Sequence, residues 1–128
     1  MTQTTTIDLQ AMLAGYLECA LWASTGDDDR PLDDTHCETD ISEESQAQAR
    51  EDCADFVRGC VTAGIDLDEL YPRNASGIGH DLWLTRNHHG AGFWDRGFGE
   101  LGDRLSKLAH LMGSRDAYVG DDGLVYFQ

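Results

Sequence analysis

The sequence predicts an α+β domain in which helices pack on one face of a small antiparallel sheet built from two hairpins. Three segments repeat apolar residues at steps of three and four, as amphipathic helices do. Two segments, 81–95 and 116–127, hold short aromatic and β-branched runs joined by turn residues, which is typical of hairpins. The 128 residues fit one domain, 1–128, with an acidic helical half (1–72) and a hairpin–helix–hairpin half (73–128).

The first helix is predicted to begin at Thr6 or Asp8, because either side chain can cap the first turn. Apolar residues from Leu9 onward then recur at helical spacing. The helix is expected to end near Gly26, since glycine readily takes the left-handed conformation that closes a helix.

The second helix is predicted to begin at Ser42, with two carboxylates in its first turn. Its buried stripe follows steps of four and three: Ala49, Cys53, Phe56, Cys60 and Ala63. Because Cys53 and Cys60 are two turns apart, about 10 Å along the axis, they cannot form a disulfide with each other. We interpret them as core thiols, in a chain whose four cysteines stay reduced.

Residues 27–40 carry six Asp and one Glu and predict a solvated loop. A calcium loop is the alternative interpretation, because hard cations bind several carboxylate oxygens. The segment lacks the alternating Asp-x-Asp-x-Asp-Gly order and the closing Glu of an EF-hand. A short packed turn is expected over 65–72.

The first predicted hairpin pairs 81–85 with 93–95 across a loop that contains Asn87, two histidines and glycines. Period-two alternation places Leu82 and Leu84 on one face and Trp83 on the other. Trp83 then either contributes to a binding surface or is covered by a helix. A third helix follows over 100–112, and Asp122-Gly123 predicts the tight turn of the second hairpin.

Charge restricts the possible functions. The formal net charge is -15 with a pI near 4.3, which argues against direct nucleic-acid binding and favours basic protein partners. Residues 1–72 hold 17 Asp and Glu against 3 Arg, whereas residues 73–128 hold 7 against 6 Arg and Lys. No apolar run is long enough for a membrane span and the first residues do not form a signal peptide, so a cytoplasmic protein is expected.

The outer face of the second helix is the first candidate site, as a partner-binding surface. Its carboxylates recur at three- and four-residue steps, about 5 to 6 Å apart, which is similar to the spacing of phosphates along a nucleic-acid strand. The alternative is a solvated face that serves only solubility. The predicted partner-binding residues are Glu43, Glu44, Glu51, Asp52 and Asp55.

The second candidate is a small-ligand or metal site in the first predicted hairpin, formed by His80, Trp83, His88, His89 and Asp95. A zinc site could also draw on His36, Cys37 and Asp81, but no pair has Cys-x-x-Cys or His-x-x-x-His spacing. A hydrolase would need His80 with Asp81, or His88 with Asp95, as base and orienting group. No nucleophile motif or phosphate loop accompanies them, so no cofactor is expected and an enzyme is the weaker hypothesis.

The motifs GHDLWLTRN (79–87), GAGFWD (90–95) and YVGDDG (118–123) resemble a family of small uncharacterised bacteriophage and prophage proteins. The resemblance covers roughly residues 79–127, and the acidic first half has no counterpart in it. It implies no catalytic residue. It implies an accessory factor that acts on a host protein. Together with the acidic charge, this predicts a host or phage partner with a basic surface. We expect a host defence enzyme or a nucleic-acid enzyme, which the protein inhibits as a nucleic-acid mimic.

Overall fold

The computed structural model describes residues 7–26, 29–89 and 91–128. The described chain forms five helices and one two-stranded antiparallel sheet, so the α+β class is confirmed and helix predominates. Thr6, Asp27, Asp28 and Gly90, which enter the cap, calcium and loop predictions, lie outside the described residues. The elements are α1 (Leu9–Ala23), α2 (Glu43–Thr62), α3 (Leu67–Leu70), α4 (Ala75–Arg86), α5 (Glu100–Leu111), β1 (Ala117–Val119) and β2 (Val125–Phe127).

The prediction of a hairpin over 81–95 is wrong. Residues 81–85 belong to α4, which Asn74 caps by accepting a hydrogen bond from the Gly77 amide, and Phe93–Asp95 is a 3-10 turn. Every residue of 81–86 is buried. Because this part of α4 is enclosed on all sides, it has no polar stripe, and its alternation of polar and apolar residues was mistaken for a strand.

Helix α4 packs most closely against α1, where two glycines replace side chains at the crossing. A Cβ built on Gly79 would lie 1.9 Å from the Met12 carbonyl oxygen, and one built on Gly15 would lie 2.0 Å from the Ser76 carbonyl oxygen. The two backbones are therefore closer than any larger residue permits.

The other three long helices agree with the sequence prediction. Asp8 caps α1, Ser42 caps α2, and Gly113 follows α5 with a φ of +80°. Helix α1 ends at Ala23, and Ser24 follows it in an extended conformation. The prediction had placed the end of this helix further along the chain, with a glycine as its cap. The predicted short turn is present as α3.

The C-terminal hairpin is confirmed. Strands β1 and β2 pair Ala117 with Phe127 and Val119 with Val125, and Gly123 in the turn has a φ of +82°. The sheet is anchored to the start of α2, because the Ser42 amide donates to the Val125 carbonyl and the Phe127 amide donates to the Ser45 hydroxyl.

One apolar core joins these elements. Cys53 and Cys60 lie in it as free thiols, as the stripe on α2 predicted, and Cys19 is buried with them. Among the described residues, no helix is both long and apolar enough to cross a bilayer.

Candidate functional site

The acidic loop, which we define as residues 29–40, has a defined conformation. It contains 3-10 turns at Leu32–Asp34 and Glu38–Asp40, where the prediction expected an irregular loop. Leu32 is buried, and its amide donates to the Ser24 carbonyl at 2.9 Å. Gln46 of α2 donates to the Ile41 carbonyl at 2.9 Å. Contacts with α1 and α2 therefore hold the loop at both ends.

Carboxylates of this loop face solvent. Asp29, Asp33, Asp34 and Glu38 are exposed. Asp40 accepts a hydrogen bond from the Cys37 amide at 2.8 Å, and this bond holds the pKa of the Asp40 carboxyl below its usual value. The loop thus presents fixed negative charge.

A groove separates the acidic loop from α1. Its volume is about 410 Å³, and the residues that line it include Glu18, Asp33 and Glu38. The side chain of Leu21, buried in the core, also lines it. We call this feature the acidic groove. Glu18 was missed from the sequence because it lies within the apolar run of α1, and only the fold brings it to the loop.

The predicted partner-binding residues on α2 divide into two groups. Glu43, Glu44, Glu51 and Asp55 are exposed as expected, although Asp55 pairs with Arg58 and Arg50 is also exposed on this helix. Asp52 was placed on the outer face, and this placement is wrong, because its residue is only 6% exposed. The two arginines and the loss of Asp52 interrupt the acidic row.

Asp52 instead accepts hydrogen bonds from two arginines. Arg86 Nη1 donates to Asp52 Oδ2 at 2.8 Å, and Arg115 Nε donates to the same oxygen at 3.2 Å. Arg86 is 1% exposed and also donates to the hydroxyl of Tyr16 at 3.0 Å. This network was missed in the sequence, because its members at positions 16, 52, 86 and 115 come together only in the fold.

The predicted ligand-binding residues do not form one site. Trp83 is in the core, where its ring packs edge-on against Tyr16. His88 is exposed and stacks on His110 of α5, with ring centroids 4.4 Å apart. Asp95 is exposed and accepts a hydrogen bond from the Gly92 amide. His80 lies within α4, whereas His88 follows the end of that helix and has a φ of +58°.

His80 borders a separate cleft of about 660 Å³, which we call the Asp81 cleft. The Asp81 carboxylate is already occupied, because Arg96 donates to both of its oxygens, at 2.9 and 2.6 Å, and the Tyr71 hydroxyl donates to Oδ2. Burial, and then this bond to Asp81, raise the pKa of Tyr71 above its usual range. His80 Nδ1 lies 4.0 Å from Asp81 Oδ1, beyond hydrogen-bond distance, so the pair does not form the base and orienting group of a hydrolase.

A third cleft, the Trp83 cleft, encloses about 380 Å³ between the end of α1, the end of α4 and the segment before β1. Trp83 and His89, two of the predicted ligand-binding residues, both line it, together with Thr25 and Arg115. The indole Nε1 of Trp83 is buried and has no hydrogen-bond partner within the described chain.

The residues weighed for zinc do not converge. His36 and Cys37 lie in the acidic loop, His80 lies in α4, and His88 follows the end of α4. Over residues 7–26, 29–89 and 91–128, no three His, Cys, Asp or Glu side chains are grouped so as to hold a metal ion.

Comparisons of the chain with protein-family models, with curated proteins and with solved structures find no match. No role is therefore carried over to these residues from another protein.

Proposed function

We propose that this protein binds the basic surface of another protein through the acidic loop and the acidic groove. In this proposal it is a phage-type accessory factor. Its partner is a host enzyme of defence or nucleic-acid metabolism, whose nucleic-acid-binding surface it occupies. The observation that carries the proposal is the fixed conformation of a loop so rich in carboxylates.

The contacts that hold this loop in one conformation are the first support for the proposal. Like charges repel, so an acidic segment without other contacts gains by staying extended and mobile. Here the burial of Leu32 and Ile41 offsets that repulsion and holds the charges in place. A preordered charged surface loses little conformational entropy on binding, which favours affinity.

The chemistry of the groove is the second support. Leu21 offers an apolar contact, and three acidic residues, Glu18, Asp33 and Glu38, line the same groove. A Lys or Arg side chain combines an apolar stem with a cationic end. It can pack the stem on Leu21 while its charge is neutralised by the carboxylates. The groove therefore fits a basic anchor residue of the partner.

The acidic loop resembles a nucleic-acid backbone in charge more closely than α2 does. On α2 the arginines at positions 50 and 58 interrupt the acidic row. In the acidic loop, residues 29–40, Arg30 is the only Arg or Lys, and it pairs with Asp34 at 3.8 Å. Proteins that bind nucleic acid present clustered Lys and Arg, and such a cluster would be attracted to this loop.

The proposal is tested by capture from host lysate followed by reconstitution. The tagged protein is expected to retain a nucleic-acid-handling protein at low salt and to release it at high salt or when duplex DNA is added. Binding must then be reproduced with the identified partner in pure form. Capture that is insensitive to both salt and DNA would contradict the mimicry proposal, as would the absence of any partner.

Two charge-matched variants locate the surface. The groove variant carries Glu18→Gln, Asp33→Asn and Glu38→Gln, and the control carries Glu43→Gln, Glu44→Gln and Glu51→Gln on α2. We expect the groove variant to weaken binding by about tenfold or more, since each fixed charge pair at an interface contributes on the order of 1 kcal/mol. Weaker binding by the control alone would move the interface to α2.

A further inference from the structure

Helix α5 borders a groove that leaves large apolar side chains open to water. Leu111 is 78% exposed and Trp94 is 56% exposed, and both line this groove, which has a volume of about 460 Å³. We call it the α5 groove, and its lining residues are Trp94, Asp103, Ser106, Lys107, His110 and Leu111. Single exposed apolar residues are ordinary, whereas several that share one patch are typical of a protein–protein contact.

The α5 groove lies in a part of the chain where charge is balanced. Residues 94–111 contain three acidic and three basic side chains, whereas the whole chain contains 24 Asp and Glu against 9 Lys and Arg. The turns of the acidic loop pack on α1, while α5 packs on α4, on α2 and on the turn Phe93–Asp95. Because like charges repel, two copies of this acidic chain meet least repulsion where they approach through a balanced surface.

The charges within the groove favour a second copy of this chain as its occupant. Asp103 and Lys107 are exposed and lie one helical turn apart, and neither side chain has an ion-pair partner among the described residues. In a two-fold contact the same patch meets itself, so each charge must find its opposite on that patch. A groove with one Asp and one Lys meets this condition.

We propose that the α5 groove is the interface of a homodimer, in which α5 lies antiparallel to α5 of a second copy. A carbonyl of the turn Phe93–Asp95 lies against the first turn of α5, so Trp94 is at this end of the helix. Leu111 is at the other end, about 12 Å beyond Asp103 along the axis. An antiparallel contact centred near Lys107 therefore brings Leu111 of each copy to Trp94 of the other.

The same arrangement pairs the charges and leaves the other candidate surface free. Lys107 of each copy comes within reach of Asp103 of the other, because the two positions are one turn apart on antiparallel helices. The four charges at the centre of the contact then sum to zero. This interface shares no residue with the acidic groove.

Sedimentation velocity measures the association, over about 1 μM to about 500 μM protein and at about 150 mM salt, which screens the distant carboxylates. A dimer that forms as the concentration rises, and no larger species, is expected, because a two-fold contact is closed. A monomer throughout this range would overturn the proposal and leave the groove to a different protein. Assemblies larger than a dimer would also overturn it.

Trp94→Ala and Trp22→Ala are the matched variants. Both tryptophans are 56% exposed, but Trp22 does not line the α5 groove. The contact of Trp94 occurs twice in the dimer, so its loss is expected to weaken dimerisation about 100-fold, tenfold for each copy of the contact. Trp22→Ala is expected to dimerise as the parent protein does. Equal dimerisation by the two variants would contradict the proposed interface.

Two charge variants test the pairing across the interface. Asp103→Lys has two positive charges in the groove and Lys107→Glu has two negative charges, so each variant alone is expected to remain monomeric. Mixed in equal amounts, they are expected to form a heterodimer at least as tight as the parent dimer, because every charge then meets its opposite. Dimers of either variant alone, or a mixture that stays monomeric, would overturn the proposal.

Discussion

Arg86 connects more of the fold than any other polar side chain in the described chain. Its Nε donates to the Gly113 carbonyl at 2.8 Å and its Nη2 donates to the Met112 carbonyl at 3.1 Å, at the end of α5. Its Nη1 bonds reach Tyr16 on α1 and Asp52 on α2. Burial raises the pKa of Tyr16 above its usual range, so that its hydroxyl stays protonated. One guanidinium group thus ties four segments together.

Removal of the Asp52 charge is predicted to destabilise the protein strongly. Asp52→Asn leaves the buried Arg86 without a counter-charge, and breaking such a pair costs about 3 to 5 kcal/mol. Urea unfolding measures the change in the free energy of unfolding. The double variant Asp52→Leu with Arg86→Met is expected to be more stable than Asp52→Asn, because no fully buried charge is left unpaired and Arg115, which loses Asp52, is 29% exposed to water. A loss below 1 kcal/mol in Asp52→Asn would show that the network is not structural.

In the native protein, one cysteine is predicted to react with an alkylating agent and the other three are predicted to be protected. Burial raises the pKa of Cys19, Cys53 and Cys60 from 9.0 to about 12. Since the thiolate is the reactive form, their reactive fraction at pH 8 falls by about 1,000-fold. Native protein treated with iodoacetamide at pH 8 should gain one adduct, at the exposed Cys37, and unfolded protein should gain four. Rapid modification of several native thiols would contradict the buried positions.

The same shifts predict a loss of stability in alkali. Between pH 9 and 12 the three thiols ionise in the unfolded chain but stay protonated in the folded one, so the unfolded state binds fewer protons. The contribution of the three thiols to the free energy of unfolding is therefore fully present below pH 9 and decreases as the pH rises towards 12. Urea midpoints at a series of pH values measure the slope. A variant with Cys53→Ala and Cys60→Ala is expected to show a smaller slope.

Among the helices and strands, the sequence predicted the elements that have one buried face and one exposed face. Helix α2 has one buried and one exposed face, so its apolar stripe through Cys53 and Phe56 was visible. The C-terminal hairpin was visible because Asp122-Gly123 marks its turn. Helix α4 was not, because its polar residues Asp81 and Arg86 are buried in hydrogen bonds rather than exposed. Burial on all sides removes the period that sequence analysis depends on.

The contact between α1 and α4 gives a prediction for Gly79. In Gly79→Ala the new Cβ would collide with the Met12 carbonyl oxygen, a backbone atom that cannot move alone. The helices must separate, and we expect a loss of about 2 to 3 kcal/mol, as in other overpacked cores. Urea or thermal unfolding measures it.

Gly59 supplies the matched control for that substitution. It also lies inside a helix, but a Cβ built on it would approach only Leu108 Cδ2, at 3.9 Å. Alanine has the higher helix propensity, so Gly59→Ala is expected to stabilise the protein by about 0.5 to 1 kcal/mol. Equal effects of the two substitutions would mean that helix propensity, and not the close approach of the two backbones, determines the result at position 79.

The candidate sites were only partly predictable for a related reason. The acidic composition of 27–40 was evident in the sequence, but the acidic groove also needs Glu18 and Leu21 from α1. The Trp83 cleft combines positions 25, 83, 89 and 115. Such long-range neighbours follow from the packing of α1 against α4, which depended on recognising α4 as a helix.

At the scale of the whole molecule, the net charge of -15 opposes the compact state. Salt screens repulsion between exposed carboxylates but hardly affects the buried Asp52–Arg86 pair. We predict that the melting temperature rises by about 3 to 6 °C between ~20 mM and ~500 mM NaCl, equivalent to about 1 kcal/mol. Differential scanning calorimetry measures it. A fall with added salt would indicate that surface ion pairs outweigh repulsion.

Amide chemical shifts of this chain locate the surface that the partner contacts. A ¹⁵N-labelled sample is titrated with the purified partner. If the acidic loop and groove form the interface, the largest changes will lie at Leu21, Asp33 and residues 36–39, and they will diminish as salt is added. Changes confined to the outer face of α2, or to the Asp81 cleft, would contradict the account and assign binding to that other surface.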